Sequence, residues 1–272
     1  MKQLIKNITI QIYKVLTYLI PVNKKMIIFQ SSNGRNYTGN PRYIYEEMVR
    51  EGLDQEYECI WFFFDTSIEV PGKCKKIRNN YFPYFWYLMR AGIWVFDSRQ
   101  PLYVRKKKHI TYIQTWHGTP LKTLGKRMRF GIESMYNVQH NFLHANYIMF
   151  PNEFTRKAIM EDYNLEALYT GTVVMNGYPR NSIFMDHEKA DQVTKKLGNE
   201  DYTTMAYMPT WRGQSNHDVN TSEYSREINQ LLHYLDENLK DDQKLYVNFH
   251  PIVQKFVKMD NYEHIYPFPS GV

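Results

Sequence analysis

Short runs of apolar, β-branched and aromatic residues recur along this chain, each followed by a segment with helical periodicity. Met26–Gln30, Cys59–Phe64, Ile93–Phe96, His109–Gln114 and Tyr147–Phe150 are the clearest. Such runs are too short for buried helices and too uniformly apolar for half-exposed strands, so they read as buried strands. Helical patterns lie between them: one beginning near Pro41, one over Tyr81–Arg90, one over Ile132–Ala145 and one over Glu153–Tyr163. Strands alternating with helices predict an α/β fold with a mostly parallel sheet and helices on both faces. At 272 residues the chain exceeds the usual single-domain length, which predicts two domains.

The second domain is expected after Pro179. A helix at Glu188–Leu197, a strand at Thr203–Tyr207, a helix at Glu223–Leu239 and a strand at Lys244–Phe249 continue the alternation, with a polar loop at Gly213–Thr221 among them. Only about 90 residues belong to this unit, and the sequence stops at Val272 without a closing helix.

The first segment reads differently. Met1–Ile20 carries Lys2, Lys6 and Lys14 among Leu4, Ile8, Ile12, Val15, Leu16 and Leu19 at helical spacing. The lysines interrupt the apolar run too often for a membrane span, and no small-residue cleavage site follows for a signal peptide. A basic amphipathic helix lying on an anionic membrane surface fits this pattern; a helix packed on the protein's own core is the alternative. The aromatic stretch Tyr81–Arg90 carries the same choice, between a core helix and one presenting Trp and Tyr at headgroup depth. The basic run Arg105–Lys108 would support the membrane reading.

A net charge of +6 and a pI near 9.0 call for an anionic partner without choosing among nucleic acid, membrane and phosphorylated substrates. No nucleic-acid-binding motif is present and the basic residues are dispersed, so nucleic acid is disfavoured. Two cysteines, Cys59 and Cys74, do not make a disulfide framework and favour a reducing compartment. With no Cys/His metal spacing and no carboxylate cluster, neither a metal nor a cofactor is expected.

Three segments carry chemistry, each just past a strand. In Gln114-Thr-Trp-His-Gly-Thr-Pro-Leu-Lys122 a strand ends, His117 and Gly118 occupy the turn, and a helix is expected with Thr119 at its cap and Pro120 in its first turn. Ligands of open α/β sheets bind at the carboxyl ends of strands, so His117 stands where an imidazole can act as general base. Gly118 would let the backbone approach a ligand, and the expected helix N-terminus would favour anions. Arg212, in Tyr207-Met-Pro-Thr-Trp-Arg212, offers a planar fork of donors suited to phosphate. His250 follows the strand at Lys244–Phe249.

Together these pieces resemble the CDP-glycerol:poly(glycerophosphate) glycerophosphotransferase family, which builds wall teichoic acid and related polymers. The match comprises Asn33-Gly-Arg-Asn-Tyr-Thr-Gly-Asn-Pro-Arg42, Trp116-His-Gly-Thr-Pro-Leu-Lys122 with Gly125, Gly177-Tyr-Pro-Arg-Asn181, Pro209-Thr-Trp-Arg212 and His250-Pro251, in order. The resemblance implies a GT-B architecture of two Rossmann-like halves. An N-terminal acceptor- and membrane-facing domain would span residues 25–180 after a membrane-surface helix over 1–24. An incomplete CDP-donor domain would follow over 181–272. It implies that His117 deprotonates the acceptor hydroxyl, which attacks the β-phosphorus of CDP-glycerol with release of CMP. Arg212 and His250 would steady the pyrophosphate charge, and Arg180, Gly118, Thr119, Lys122 and Thr210 are the further substrate-binding positions.

The implied partners are CDP-glycerol, an undecaprenyl-diphosphate-linked acceptor and the cytoplasmic face of the membrane, held peripherally. The short N-terminal lead favours a primase-like enzyme. Family members normally continue to an aspartate-tyrosine-serine-serine motif that grips the donor phosphates, which this sequence does not reach. Ribitol-phosphate transfer, nucleotide-sugar transfer and a non-catalytic membrane-binding fragment are the competing readings.

Overall fold

The computed structural model describes residues 2–128, 132–209, 221–249, 253–255 and 257–269. Thr210, Arg212 and His250, together with most of the Gly213–Thr221 loop, lie outside the described residues. The chain forms two compact units, Met1–Met185 and Asp186–Val272.

The first unit is built on seven parallel strands. They are β1 (Asn23–Gln30), β2 (Glu58–Phe63), β3 (Cys74–Arg78), β4 (Ala91–Phe96), β5 (Thr111–Gln114), β6 (Tyr147–Met149) and β7 (Thr172–Val174), in the order β3-β2-β1-β4-β5-β6-β7. The order reverses between β1 and β4, where Ile27 to Gln30 pair with Ile93 to Phe96. A reversal of this kind leaves a crevice beyond the strands' carboxyl ends, the usual ligand position in such sheets.

The central strands read as unbroken apolar runs because both faces of the sheet are covered. Side chains alternate, so Ile27, Phe29, Cys59, Trp61, Phe63 and Val95 form one core. It is closed by Tyr45 and its neighbours on α2 (Gly39–Arg50). Trp61 lies stacked between Phe29 and Phe63, at centroid distances of 5.2 and 5.5 Å. Met26, Ile28, Ile60, Phe62, Trp94 and Phe96 face the other core. There they meet α1 (Lys2–Leu19), α3 (Tyr81–Arg90), α4 (Ile132–His144) and α5 (Glu153–Asp162). Cys59 and Cys74 sit side by side in β2 and β3 as free thiols.

Helix α1 packs one face on this core. Ile10 and Tyr13 are buried, the Tyr13 ring stacks on Phe85 at 4.3 Å, and the Arg105 amide donates to the Tyr13 hydroxyl at 2.9 Å. Its other face leaves Ile8, Ile12, Val15, Tyr18 and Leu19 exposed. In α3, Tyr84, Phe85, Leu88 and Met89 are core residues, while Phe82 and Trp86 face outward. No helix among the described residues is long and apolar enough to cross a membrane.

The second unit carries a three-stranded parallel sheet, β10-β9-β8, from β8 (Thr203–Tyr207), β9 (Gln243–Val247) and β10 (Ile265–Pro267). Its helices are α6 (His187–Lys196) and α7 (Thr221–Asn238). Leu232, Leu245, Val247 and Ile265 centre its core.

The chain departs from its expected structure after the His117 turn. No α-helix starts at Leu121; the backbone runs on without regular structure to a single 3-10 turn at Gly125–Arg127. Leu121 is 92% exposed, so a helix there would have no apolar face to bury. Gly125 has φ +53 and is pressed against α5, where a Cβ would come within 2.0 Å of the Asp162 carbonyl oxygen. Neither condition is compatible with a continuing helix. Thr119 therefore caps nothing: its hydroxyl accepts from the Thr155 hydroxyl in the first turn of α5 at 3.1 Å.

Candidate active site

Past the ends of β1, β4 and β5, a cleft of about 670 Å³ opens in the first unit. Its walls include Ser32, Asn33, Arg35 and Gly39 from the loop between β1 and α2, Asp97 to Arg99 after β4, and Trp116 and His117 after β5. Arg180 closes it from the segment after β7.

The loop bearing His117 is held by buried amides. Asn40 is fully buried, and its Nδ2 donates to the carbonyls of Thr115 and Trp116 at 3.1 and 3.0 Å. Gln114 turns its side chain back to accept from the Trp116 amide at 3.0 Å. Between these anchors Trp116 adopts φ +51, a left-handed conformation rare for a bulky side chain. Ser32 and Asn33, also at the cleft, have φ +48 and +55. Backbone strain held in place by surrounding structure gathers at functional sites, and three of the four such non-glycine residues among the described ones line this cleft.

His117 is exposed, and its Nδ1 lies 2.8 Å from the Asp97 carbonyl oxygen. A carbonyl can only accept, so Nδ1 carries the proton and Nε2 presents a lone pair. Nε2 has no hydrogen-bond partner among the described residues. The imidazole is thus fixed in the tautomer of a proton acceptor.

Asp97 does a second job with its side chain. The carboxylate is 3% exposed; it accepts from the Ser32 amide at 3.1 Å through both oxygens and from the Ser98 hydroxyl at 2.6 Å. Burial raises its pKa above the ordinary aspartate value, while Ser98, Ser32 and the nearby His117 pull it back. The carboxylate packs against the first residue of α2, where a Cβ on Gly39 would stand 3.3 Å from Oδ2. The helix N-terminus at this cleft is therefore that of α2, not one at Leu121.

Arg180 donates from Nη1 to the His117 carbonyl at 2.9 Å and lies over the Tyr178 ring at 5.4 Å. The Tyr178 hydroxyl in turn donates to the Gly118 carbonyl at 3.3 Å. The structure thus brings His117, Gly118 and Arg180 together. Thr119 points to α5, and Lys122 is exposed and absent from the cleft walls. Asp97, Asn40 and Gln114 escaped the sequence reading. Asn40 sits inside the motif from Asn33 to Arg42, and Asp97 directly follows the β4 strand, the same position relative to a strand that singled out His117. Among the described residues no group of three or more His, Cys, Asp or Glu side chains is placed to hold a metal ion.

Comparison with known proteins identifies the ancestry of this arrangement. Residues 12–266 match the family described as CDP-Glycerol:Poly(glycerophosphate) glycerophosphotransferase. The chain belongs to that family. It is 31% identical over 256 residues to a teichoic acid poly(glycerol phosphate) polymerase of Staphylococcus epidermidis, covering 89% of this chain and 34% of that one. A teichoic acid poly(glycerol phosphate) polymerase of Bacillus spizizenii is 28% identical, covering 97% and 70%. Among solved structures, a histidine-to-asparagine variant of the wall teichoic acid polymerase TagF soaked with CDPG superimposes with a TM-score of 0.80. It shares 28% identity over 96% of this chain and 64% of that chain. The chain thus spans only about a third of the Staphylococcus epidermidis polymerase and under two thirds of the TagF chain.

Proposed function

We propose that this glycerophosphotransferase moves glycerol phosphate from CDP-glycerol to a membrane-lipid-linked acceptor in the synthesis of teichoic acid or a related polymer. The observation that carries the reading is the fixed tautomer of His117 at the mouth of the cleft. Nε2 takes the proton from an acceptor hydroxyl as its oxygen bonds to the β-phosphorus. The bond from that phosphorus to CMP breaks, and CMP leaves with the electron pair. A histidine acting this way contributes about 10² to 10⁴ in rate. The Asp97 carboxylate favours the imidazolium that forms, and Arg180 keeps the His117 backbone in place.

The donor belongs, in this reading, to a second Rossmann-like half of a GT-B enzyme, with Thr210, Arg212 and His250 on the pyrophosphate. Glycerol is preferred to ribitol because the relatives above are poly(glycerol phosphate) polymerases. The enzyme works at the cytoplasmic face of the membrane, held peripherally. The exposed apolar stripe of α1, with Phe82 and Trp86 of α3, supplies the contact.

The test is CMP release from CDP-glycerol with a lipid-linked acceptor, using the protein expressed to its natural stop codon. His117→Ala should lower kcat by at least a hundredfold and leave donor affinity unchanged. Normal turnover in His117→Ala would remove this histidine from the mechanism. Turnover with CDP-ribitol alone would move the donor to ribitol, and turnover with a nucleotide sugar alone would move the chemistry to glycosyl transfer.

A further inference from the structure

A small pocket in the first unit shares no lining residue with the His117 cleft. Its walls include Trp94 of β4, Lys106 of the connection to β5, Tyr112 of β5, and His140, Asn141 and His144 of α4. Its volume is about 10 Å³, the space of one water-sized particle.

The acceptors of this wall are already in use. Asn141 Oδ1 accepts from the Gln100 amide at 2.7 Å and from the Tyr112 hydroxyl at 3.3 Å. Gln100 Oε1 accepts from the Tyr84 hydroxyl, and the Tyr112 oxygen from Gln114 Nε2 at 2.8 Å. The donors are not. Trp94 is 1% exposed, and its Nε1 is buried with no hydrogen-bond partner among the described residues. The Lys106 ammonium, half-buried, has no hydrogen bond or ion pair there either. The His140 ring stacks on His144 at 4.1 Å, and neither of its nitrogens is bonded among the described residues. Unused buried donors without acceptors call for a ligand that accepts.

The charge points the same way. No carboxylate lines the pocket. Burial lowers the pKa of Lys106 with no acidic neighbour to oppose it. That of His140 falls to about 4, through burial first and then His144 and Arg105. The charged and titratable groups around His140 are Arg105 and Lys106 before β5, Tyr112 in β5, and Tyr136 and His144 in α4. A water in the pocket would satisfy Trp94 but leave this positive charge uncompensated. A metal ion on the two histidines would be repelled by Lys106 and Arg105. We propose that the pocket binds one small inorganic anion of about the size of chloride, held by Trp94 Nε1, the Lys106 ammonium and an N–H of the His140 imidazole. A tetrahedral oxyanion is too large for the space. The ion would tie the connection between β4 and β5 to α4, and the inference stands independently of the transferase reading.

Bromide tests it on the 272-residue chain, compared at constant ionic strength with gluconate, which is too large to enter. Followed by NMR, His140 should titrate about half a pH unit or more higher in bromide, the mark of an anion held roughly threefold tighter by the imidazolium. The effect should saturate at roughly 10–100 mM, an affinity within reach of a single bound atom. His233 of the second unit, an exposed partner of Asp260, should titrate alike in both salts. Lys106→Gln and Trp94→Phe should each weaken bromide by at least about fivefold, the worth of one hydrogen bond. Lys106→Gln decides the matter if Trp94→Phe is destabilised, since the Lys106 side chain has no bonded partner to lose. Crystals grown in bromide should show an anomalous peak beside Trp94 Nε1. Equal titration of His140 in the two salts would overturn the proposal. So would a bromide effect that survives both substitutions, a water in place of the anomalous peak, or inorganic phosphate binding there more tightly than bromide.

Discussion

Replacing Asn40 by alanine should damage the protein more than any surface motif residue would. The side chain is fully buried and makes three bonds: two from Nδ2 to the Thr115 and Trp116 carbonyls, and one at Oδ1 from the Arg180 amide at 3.3 Å. Each bond is worth about 1 kcal/mol net, and partners left buried without water cost more than the mean. The loss should therefore be about 3 kcal/mol, a large share of the ~5–15 kcal/mol that stabilises an ordinary domain. With a urea slope of roughly 1–3 kcal/mol per molar, tryptophan fluorescence should show the unfolding midpoint falling by about 1–3 M. Asn40→Asp separates hydrogen bonding from packing, because it keeps the volume but sets carboxylate lone pairs against two carbonyls. It should be at least as harmful as alanine. A loss under about 0.5 kcal/mol for alanine would refute the claim that Asn40 holds the His117 loop. A neutral aspartate beside a harmful alanine would show that volume, not donation, is what matters.

Gly125→Ala should cost about 2–4 kcal/mol in the same urea assay, because its Cβ would overlap the Asp162 carbonyl and its φ is positive; a neutral result would contradict the packing of this turn on α5. Ile12→Glu with Leu19→Glu, both at exposed positions of α1, should weaken sedimentation with anionic vesicles at least tenfold without changing thermal stability; undiminished sedimentation would place the membrane contact elsewhere. His140 has its pKa lowered to about 4, chiefly by burial and then by His144 and Arg105. The unfolded chain then binds a proton more readily, so stability is fully present above about pH 6.5 and falls as pH drops toward 4. Partial solvent screening reduces the loss to about 1–2 kcal/mol. His140→Gln should flatten the stability profile across that window, and an unchanged slope would remove His140 from it.

The central sheet was legible because its strands are buried on both faces, and burial on both faces leaves uninterrupted apolar runs such as Met26–Gln30 and Cys59–Phe64. The edge strands β3 and β7 were not resolved as separate strands, for the opposite reason. In β3 three exposed cations, Lys75, Lys76 and Arg78, outnumber the partly buried Cys74 and Ile77, and β7 is only Thr172–Val174. His117 could be found from its place after a strand, and the motifs around it from family resemblance. The missing helix at Leu121 shows the limit of local signals: Thr119 and Pro120 look like a helix start, but Leu121 is exposed, and Leu124 and Gly125 reach the core from irregular backbone and a 3-10 turn. Asn40, Gln114 and Asp97 were hidden because what they do is decided by distant backbone groups. Asn40 serves carbonyls 75 and 76 residues away.

One of these side chains, Gln114, ends a chain of buried hydrogen bonds that begins at Gln30. From Gln30 the bonds run through Gln100 to Asn141, whose Oδ1 accepts from the Tyr112 hydroxyl at 3.3 Å. That hydroxyl accepts from Gln114 Nε2 at 2.8 Å, and Gln114 Oε1 holds the Trp116 amide beside His117. Built from carboxamides and a phenol, the chain of bonds carries no net charge, and burial pushes the Tyr112 phenol still further from ionisation. It therefore keeps its hydrogen-bond directions across the pH range in which a histidine base works. A buried ion pair in the same place would tie the geometry of the His117 loop to the protonation of its neighbours. The position of His117 is thus set by the fold and not by the ionisation of a buried neighbour in this chain of bonds.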